Sequence, residues 1–248
     1  MSIRARLLDV LFPVACLGCR AHLPGAAARL GALCTVCRAA TPAPPPPLCY
    51  QCGVPLAGCC ALGVADRCRL CHRHAPAFTL ARGAALYDAT PPASPLATAV
   101  HALKYGGDRA LAAALADLIT ARLAIPRDAL IVPVPLHRQR LRERRFNQAA
   151  LIAQAVGGTA GRPVAGRGLR RATPGPTQTT LGAAARRQNL LGAFVVPDAA
   201  VVRGRRVLLI DDVITTGATV DACARALLGA GALRVDAYAA GRTPRAVP

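Results

Sequence analysis

Three short, largely apolar runs recur in the second half of the chain, each bounded by polar or turn-forming residues. They are Ala129–Val134, Val207–Ile210 and Val235–Ala239, and their length and composition are typical of buried parallel strands. Between them, apolar residues recur at helical spacing in Gln148–Val156 and Val220–Leu228. This alternation of strand and helix predicts an α/β fold, with a parallel sheet covered by helices on both faces.

Other hydrophobic patterns predict elements around this core. Leu80–Tyr87 is predicted as a strand and Ala97–Tyr105 as a helix, and a second helix follows Asp108, which can cap it. Leu190–Val196 is predicted as a strand at an edge of the sheet. At the N-terminus, Ser2–Phe12 has the spacing of a short amphipathic helix that packs on the segment after it.

The cysteines set the first part of the chain apart. Ten of the 11 cysteines precede residue 72, and in a cytosolic protein this density favours metal ligation over disulfides. Eight of these cysteines form four CxxC pairs along the chain. Two CxxC pairs that follow each other at a short interval indicate a zinc ribbon, whose four thiolates form a closed, structural site. If consecutive pairs combine, the ligands are Cys16, Cys19, Cys34 and Cys37 for one ion and Cys49, Cys52, Cys68 and Cys71 for a second.

Alternatives remain for these metal sites. The CxxC pairs can also combine in an interleaved order, and His72 or His74 can replace a thiolate as a ligand. The adjacent Cys59 and Cys60 lack the CxxC turn and are left outside both sites. The proline-rich segment Thr41–Pro47 is predicted to be a stiff link between two ribbons. These features predict a double zinc ribbon with a short N-terminal helix at residues 1–74 and a second domain at residues 75–248.

Polar residues with phosphate-binding character follow the apolar run Val207–Ile210, within the segment Val207–Thr219. Asp211 and Asp212 lie at the carboxyl end of the predicted strand, where open α/β sheets bind their ligands. The small residues Thr215–Thr219 then lead into a helix, and such a strand–loop–helix unit directs backbone N–H groups at an oxyanion. Gly217 permits a positive φ and a close approach by that anion. Because the acids suit sugar hydroxyls or a divalent cation, a ribose 5-phosphate would satisfy both halves.

Two segments of the second domain are rich in arginine. The first, Leu136–Ala149, follows a predicted strand, and a loop of this composition can clamp a polyanion, unless it is only a solvated basic face. The second, Gly166–Asn189, is predicted to be a mobile basic lid beside the phosphate site, unless it is a simple linker. The arginines are Arg138, Arg140, Arg142, Arg144 and Arg145 in the first segment and Arg170, Arg171, Arg186 and Arg187 in the second.

The composition adds two constraints on partners and compartment. A net charge of +19 favours anionic partners such as nucleic acids, although a GC-rich codon bias that raises arginine everywhere is a rival explanation, since Lys104 is the sole lysine. Aromatic residues make up only 3% of the chain, so platforms for base stacking are scarce. No apolar run reaches the roughly 20 residues of a membrane span, and we expect a cytoplasmic protein.

The cysteine pairs and several motifs together resemble the ComF family over nearly the whole chain. Val207–Thr219 looks like the phosphoribosyl pyrophosphate (PRPP) motif of type I phosphoribosyltransferases. The other matching segments are LKYGGD at Leu103–Asp108, VPVPLHRQRLRERRFNQA at Val132–Ala149, TPGPTQTTL at Thr173–Leu181 and ARRQNLLGAF at Ala185–Phe194. The resemblance implies a type I phosphoribosyltransferase-like fold behind an N-terminal zinc ribbon.

The same resemblance implies roles for individual residues. As catalytic residues, Asp211 and Asp212 would hold the ribose hydroxyls and stabilise positive charge in a pentosyl transfer, with Mg²⁺ bridging pyrophosphate and ribose oxygens. The implied contacts are Thr215, Thr216, Gly217, Ala218 and Thr219 for the 5-phosphate, Arg144 and Arg145 for the pyrophosphate side, and Arg170, Arg171, Thr177 and Gln178 in the flexible lid. Two features depart from the family: Arg145 stands where glycine is frequent, and the segment between Tyr87 and Lys104 is longer than usual.

Two functions follow as expectations. The first is a protein that binds PRPP with Mg²⁺ and single-stranded DNA, the latter through Arg138, Arg140, Arg142 and Arg144. The resemblance ties this function to DNA uptake in natural transformation, with a competence helicase and DNA-processing proteins as partners. The alternative is an active phosphoribosyltransferase of nucleotide or small-molecule metabolism without a DNA role. The sequence identifies no acceptor pocket that would decide whether turnover occurs.

Overall fold

The centre of the molecule is a parallel sheet of four strands in the spatial order β1-β6-β5-β2. The structure, a computed structural model, describes residues 15–16, 18–19, 21–23, 33–56, 66–90, 93–107, 109–172 and 192–244. The strands of the sheet are β1 (Leu80–Leu86), β2 (Ala129–Pro133), β5 (Arg206–Ile214) and β6 (Arg234–Arg242), and β3 (Arg170–Arg171) pairs with β4 (Phe194–Val195) in a separate antiparallel pair. The predicted α/β class with a parallel sheet is confirmed.

Helices cover both faces of the sheet, as the sequence pattern predicted. They are α1 (Thr35–Ala39), α2 (Arg69–His74), α3 (Pro95–Tyr105), α4 (Leu111–Arg122), α5 (Arg138–Arg144), α6 (Gln148–Ala160) and α7 (Ala218–Gly229), with a 3₁₀ turn at Ala199–Val201. Side-chain caps fix two of the starts, because Ser94 accepts a hydrogen bond from the N–H of Ala97 and Asn147 accepts one from that of Ala149. Within the described ranges, no helix has both the length and the hydropathy that a bilayer crossing needs.

Successive residues of β5 point into two different cores. Leu208 and Ile210 lie in the core under α3, α4 and α6, whereas Val207 and Leu209 lie in the core under α7. The cysteines join these cores rather than standing apart from the sheet. Cys16 and Cys37 belong to the first core, and Cys49, Cys52, Cys68 and Cys71 belong to the second.

The proline-rich link between the cysteine clusters is docked onto the sheet. The N–H of Leu86, the last residue of β1, donates to the carbonyl of Pro42 over 2.8 Å. Arg122 at the end of α4 donates to the carbonyls of Thr41 and Ala84, at 2.9 and 3.1 Å. The proline-rich link is therefore held in place by β1 and by the end of α4.

The structure differs from the sequence predictions in three elements. Strand β5 continues through the acid pair to Ile214, because β6 runs alongside it with Asp211 opposite Ala239 and Ile214 opposite Arg242. The arginine-rich stretch predicted as a loop contains the helix α5. Of the predicted edge strand Leu190–Val196, the structure describes residues 192–196, in which Phe194–Val195 is extended and pairs with β3 rather than with the main sheet.

Several predictions fall on residues outside those that the structure describes. They concern the N-terminal helix at Ser2–Phe12, Cys59 and Cys60, the cap at Asp108, the lid residues Thr177 and Gln178, and Arg186 and Arg187.

Candidate functional site

The acid pair lies at the carboxyl edge of the sheet, near the end of β5. Asp212 is buried and Asp211 is partly buried, and each carboxylate accepts a hydrogen bond from the N–H of the next residue, at 2.9 Å for Asp211 and 2.7 Å for Asp212. Burial and the neighbouring charge of Asp212 raise the pKa of Asp211 well above its ordinary value. Two adjacent carboxylates, whose charges repel each other, favour a cation or hydroxyl donors beside them.

The structure supplies a cation that sequence reasoning did not assign to the site. The Nζ of Lys104, in the last turn of α3, lies 2.7 Å from Oδ2 of Asp212. Burial alone would lower the pKa of Lys104, but the negative charge of Asp212, together with that of Asp211, outweighs it and raises the pKa. The motif LKYGGD was the only sequence signal for this residue, because the ion pair joins positions that are distant in the chain.

The predicted phosphate loop follows directly. Thr215, Thr216 and Gly217 connect β5 to α7, and Ala218 and Thr219 begin the helix. Gly217 has φ 81° and caps the N-terminus of this 12-residue helix, while the hydroxyl of Thr216 accepts a hydrogen bond from the N–H of Ala218. The turn thus needs the glycine backbone, and it presents a helix N-terminus, where an anion is favoured by free N–H groups and by the helix dipole.

The arginine helix α5 emerges at the same edge of the sheet as the acid pair. It follows β2, which runs parallel to β5, and the N–H of Val134 donates to the carbonyl of Ile210 over 2.9 Å. No residue of α5 is buried; Arg138, Arg140 and Arg142 are exposed and Arg144 is partly buried. Arg145 follows with φ 63° in the left-handed region.

The last turn of α3 touches both the acid pair and the arginine helix. Next to Lys104, the ring of Tyr105 is exposed, and Arg144 lies over it with Cζ 4.9 Å from the ring centroid. Arg144 also donates a hydrogen bond of 3.1 Å to the hydroxyl of Tyr105. Two successive residues of α3 therefore join Asp212 to Arg144.

The described lid residues are part of a regular element. Arg170 and Arg171 form β3, paired with Val195 and Phe194, and the guanidinium of Arg171 lies 5.5 Å from the ring centroid of Phe194. Burial lowers the pKa of Arg171, an effect that a nearby charge on Arg140 reinforces.

The cysteines form two tetrads of consecutive CxxC pairs, so of the two pairings that the sequence left open, the structure has the sequential one. They comprise Cys16, Cys19, Cys34 and Cys37, and Cys49, Cys52, Cys68 and Cys71, and within each tetrad the Sγ atoms lie within 4.8 Å of one another. Backbone N–H groups donate to the sulfurs, from Cys34 to Cys16 and from Cys68 to Cys49, both at 3.3 Å. Hydrogen bonds from the neighbouring thiols lower the pKa of Cys49. This donor set fits a tetrahedral ion, so each tetrad could hold one Zn²⁺.

The second tetrad lies beside the phosphate loop. A cleft separates them, and its lining includes Cys52, Cys71 and His74 from the cysteine side and Thr216, Gly217 and Asp221 from the loop and α7. The carboxylate of Asp221 accepts a 2.7 Å hydrogen bond from the N–H of Ala77 and so fastens α7 to the segment after the tetrad.

Comparison with known proteins defines the class of the domain. The family model described as the phosphoribosyl transferase domain matches residues 158–244, which include β5, the acid pair, the loop and α7. The molecule therefore combines a phosphoribosyltransferase-type domain with two cysteine tetrads.

Curated relatives extend the similarity to most of the chain. The DNA utilization protein YhgH of Escherichia coli (strain K12) is 33% identical over 220 residues, which are 85% of this chain and 90% of that protein. The protein of the same name from Salmonella typhimurium is 34% identical over 79% of this chain and 84% of its own length. Competence protein F of Haemophilus influenzae is 35% identical over 50% of this chain and 53% of that protein. The chain belongs to the ComF family, the family of the DNA utilization protein YhgH.

Proposed function

We propose that this protein binds PRPP together with Mg²⁺ at the acid pair and the phosphate loop. The observation that carries the proposal is the placement of Asp211 and Asp212 one short loop before the N-terminus of α7. The carboxylates can accept hydrogen bonds from the ribose hydroxyls, and the residues 215–219 offer N–H and hydroxyl donors to the 5-phosphate. Mg²⁺ bound with PRPP would neutralise pyrophosphate oxygens that face the carboxylates.

The residues around this site support an anionic sugar ligand. A bare acid pair would repel a phosphorylated sugar, but Lys104 supplies a positive charge 2.7 Å from Asp212. Arg144, joined to the same turn of α3 through Tyr105, supplies a second positive charge that could pair with the pyrophosphate. Negative and positive groups thus lie close together, as a ligand with both hydroxyl and phosphate groups requires.

We also propose that the arginine helix binds single-stranded DNA and that the protein acts in DNA uptake, with competence helicase and DNA-processing proteins as partners. The exposed guanidinium groups of α5 and the names of the relatives, DNA utilization protein and competence protein, support this assignment. Phosphate contacts by arginine need no base sequence, so the binding is expected to be weakly sequence-dependent.

Each cysteine tetrad is proposed to hold one structural Zn²⁺. The closed sets of four sulfurs leave no open coordination position for a substrate. Reduced thiolates of this kind also fit the cytoplasmic location that we propose.

The test is a calorimetric titration with PRPP and Mg²⁺, with and without single-stranded DNA. Binding to the unmodified protein is expected, and its loss is expected in the double variant Asp211→Asn with Asp212→Asn, because the acceptors for the ribose hydroxyls lose their charge. The matched control is Asp128→Asn, an exposed carboxylate directly before β2, at the opposite edge of the sheet. Unchanged PRPP binding in the double variant would reject the site.

A second candidate is turnover: an active phosphoribosyltransferase of nucleotide or small-molecule metabolism without a DNA role. It is favoured by the position of the acid pair, since carboxylates beside the ribose can stabilise the positive charge that develops at the anomeric carbon. Release of pyrophosphate from PRPP on addition of a nucleobase or amine acceptor, lost in the same double variant, would support it.

A further inference from the structure

We propose that Arg242 makes the second cysteine tetrad a working part of the sugar-phosphate site, so that ion occupancy of this tetrad and ligand binding at the phosphate loop strengthen each other. This inference rests on the proposed function of the loop. Arg242 is assigned the role of positioning the phosphate loop. The tetrad is assigned a role in ligand binding, in addition to stabilising its own segment of the chain.

Arg242 is the last residue of β6, and its side chain is fully buried. A buried guanidinium is rare, and it requires acceptors for its several N–H groups. Its Nε donates to the carbonyl of Cys52 over 3.0 Å, and its Nη1 donates to the carbonyls of Ile214, at 2.8 Å, and Thr215. One rigid group therefore joins a cysteine of the second tetrad to the end of β5 and the first residue of the phosphate loop.

The surroundings of Arg242 leave little room for an alternative position. A Cβ atom added to Gly83 would lie 2.5 Å from Cβ of Arg242, so β1 passes directly against it. A Cβ atom added to Gly53 would lie 2.5 Å from the carbonyl oxygen of Ala81, which shows that the turn after Cys52 is pressed onto β1. The contact between tetrad and loop is thus built on closely packed backbone.

A second connection runs between the same two places. The side chain of Gln51 donates to the carbonyls of Pro76 and Phe78, at 2.8 and 3.0 Å. The ring of Phe78 in turn lies 3.8 Å from the position of a Cβ atom on Gly217. Cys52, Phe78 and Gly217 also line one cleft, so the tetrad and the loop face the same cleft.

The first tetrad provides an internal contrast. Cys16 and Cys37 lie in the core on the opposite face of the sheet. In the part of the chain that the structure describes, the main-chain groups of these two cysteines bond to the carbonyl of Ala21 and the hydroxyl of Thr41, at 2.7 and 2.8 Å. The first of these contacts stays within the first tetrad's own segment, and the second leads to the proline-rich link rather than to the phosphate loop.

The coupling follows from this geometry. With four thiolates bound to one ion, the turn of Cys49–Cys52 is held in place, and with it the carbonyl that Arg242 contacts. Arg242 then fixes the carbonyls of Ile214 and Thr215, so the N–H groups that follow are already oriented before a phosphate arrives. Such preorganisation favours binding, and because linkage is reciprocal, the bound ligand must stabilise the ion by the same factor.

The test measures the competition for zinc between the fully loaded protein and a chromogenic chelator at equilibrium, with and without saturating ribose 5-phosphate. The zinc affinity of the second tetrad is expected to rise by about five-fold or more with the ligand, within the usual range of coupling between two sites, and that of the first tetrad is expected not to change. The variant Cys34→Ser, which removes a ligand of the first tetrad only, identifies the titration step of the second. An equal change in both affinities, or in neither, would overturn the proposal.

Two substitutions test Arg242 itself. Arg242→Lys keeps the charge but loses the planar fork that reaches separate carbonyls, so zinc should still bind while protection by ribose 5-phosphate disappears. Arg206→Lys is the matched control, since Arg206 begins β5 at the opposite edge and pairs with Asp236. Protection that persists in Arg242→Lys would remove Arg242 from the coupling. If that variant does not fold, the comparison of the two tetrads in the unmodified protein still tests whether ligand binding and ion binding are coupled.

Calorimetry separates this inference from the function on which it rests. Ribose 5-phosphate that does not bind the unmodified protein at all contradicts the proposed function. Binding that leaves both zinc affinities unchanged contradicts only the coupling.

Discussion

Arg145 adopts a backbone conformation that usually belongs to glycine. Its φ of 63° lies in the left-handed region, where the Cβ atom of an L-residue crowds the following carbonyl. The position ends α5 and turns the chain toward α6, so the structure gives a physical reason for the glycine that is frequent there in the family. The arginine adds a guanidinium next to the candidate pyrophosphate side at the expense of some strain.

Replacing Arg145 with glycine is therefore expected to stabilise the fold slightly. Relief of about 1–2 kcal/mol of left-handed strain is partly offset by the greater freedom of glycine in the unfolded chain, which leaves a net gain of about 0.5 kcal/mol. Urea unfolding followed by circular dichroism measures it. The control Arg142→Gly, inside α5, should instead destabilise by about 1 kcal/mol or less, and a similar loss in both variants would contradict the strain.

Single residues also show which contacts the sequence can predict. Asp211, Asp212 and Gly217 were identified because strand, acids and loop are contiguous, and local order alone places them at one strand end. The ion pair between Lys104 and Asp212 was not identified, because it depends on how α3 packs against the sheet. The same limit applies to Arg242, whose acceptors come from both ends of the chain.

Among the secondary-structure elements, the arginine helix α5 was predicted least well from the sequence. Its residues were predicted as a loop, since Arg138–Arg144 has no apolar stripe and none of its side chains is buried. The start of α6 and the positions of the main-sheet strands were more accessible, because apolar periodicity directly reflects which face is covered. A short helix without a buried face leaves no such signal.

The exposed arginines of α5 should control the salt dependence of binding to single-stranded DNA. Each phosphate contact contributes roughly 0.7 to the slope of log affinity against log salt concentration, through counterion release. The triple variant Arg140→Gln, Arg142→Gln and Arg144→Gln should lower this slope by about 2 and weaken all sequences alike. Fluorescence anisotropy with oligonucleotides of different sequence, at several salt concentrations, gives the slope.

The control for this experiment removes the same charge from the other edge of the sheet. Arg127, Arg203 and Arg205 are exposed and precede β2 and β5, at the amino ends of these strands. Their replacement with glutamine should leave the slope nearly unchanged. Equal effects of the two triple variants would favour the view that the net charge of +19 reflects codon bias spread over the surface.

The whole molecule is built around one sheet with a cysteine tetrad on each side. The tetrads belong to the two opposite cores, so the cysteine-containing segment contacts both faces of the sheet. The sequence predicted the cysteine ligands, because CxxC spacing is a local property, but it left open which pairs combine. It did not predict the docking, because the apolar contacts of so short a segment do not reveal which surface they cover.

Elemental analysis of freshly purified, reduced protein should find two zinc ions per chain, one for each tetrad. Cys34→Ser should leave one ion and preserve the sheet, since a structural zinc contributes on the order of 10 kcal/mol to the fold of its own small module. The control Cys223→Ala, which removes a buried cysteine outside both tetrads, should retain both ions. A protein with no zinc, or a Cys34→Ser variant that loses both ions, would contradict two independent sites.

The ion pair at the acid pair also has a practical consequence for labelling chemistry. Among 248 residues, Lys104 carries the only side-chain amine, and that amine lies 2.7 Å from Asp212. Reductive methylation with isotopically enriched formaldehyde therefore places an NMR-visible label at one internal position while preserving its charge. Acylation of the same nitrogen abolishes the charge and leaves Asp212 without its counter-ion. A reagent as simple as an activated ester thus distinguishes an occupied site from an open one by how fast this single nitrogen reacts.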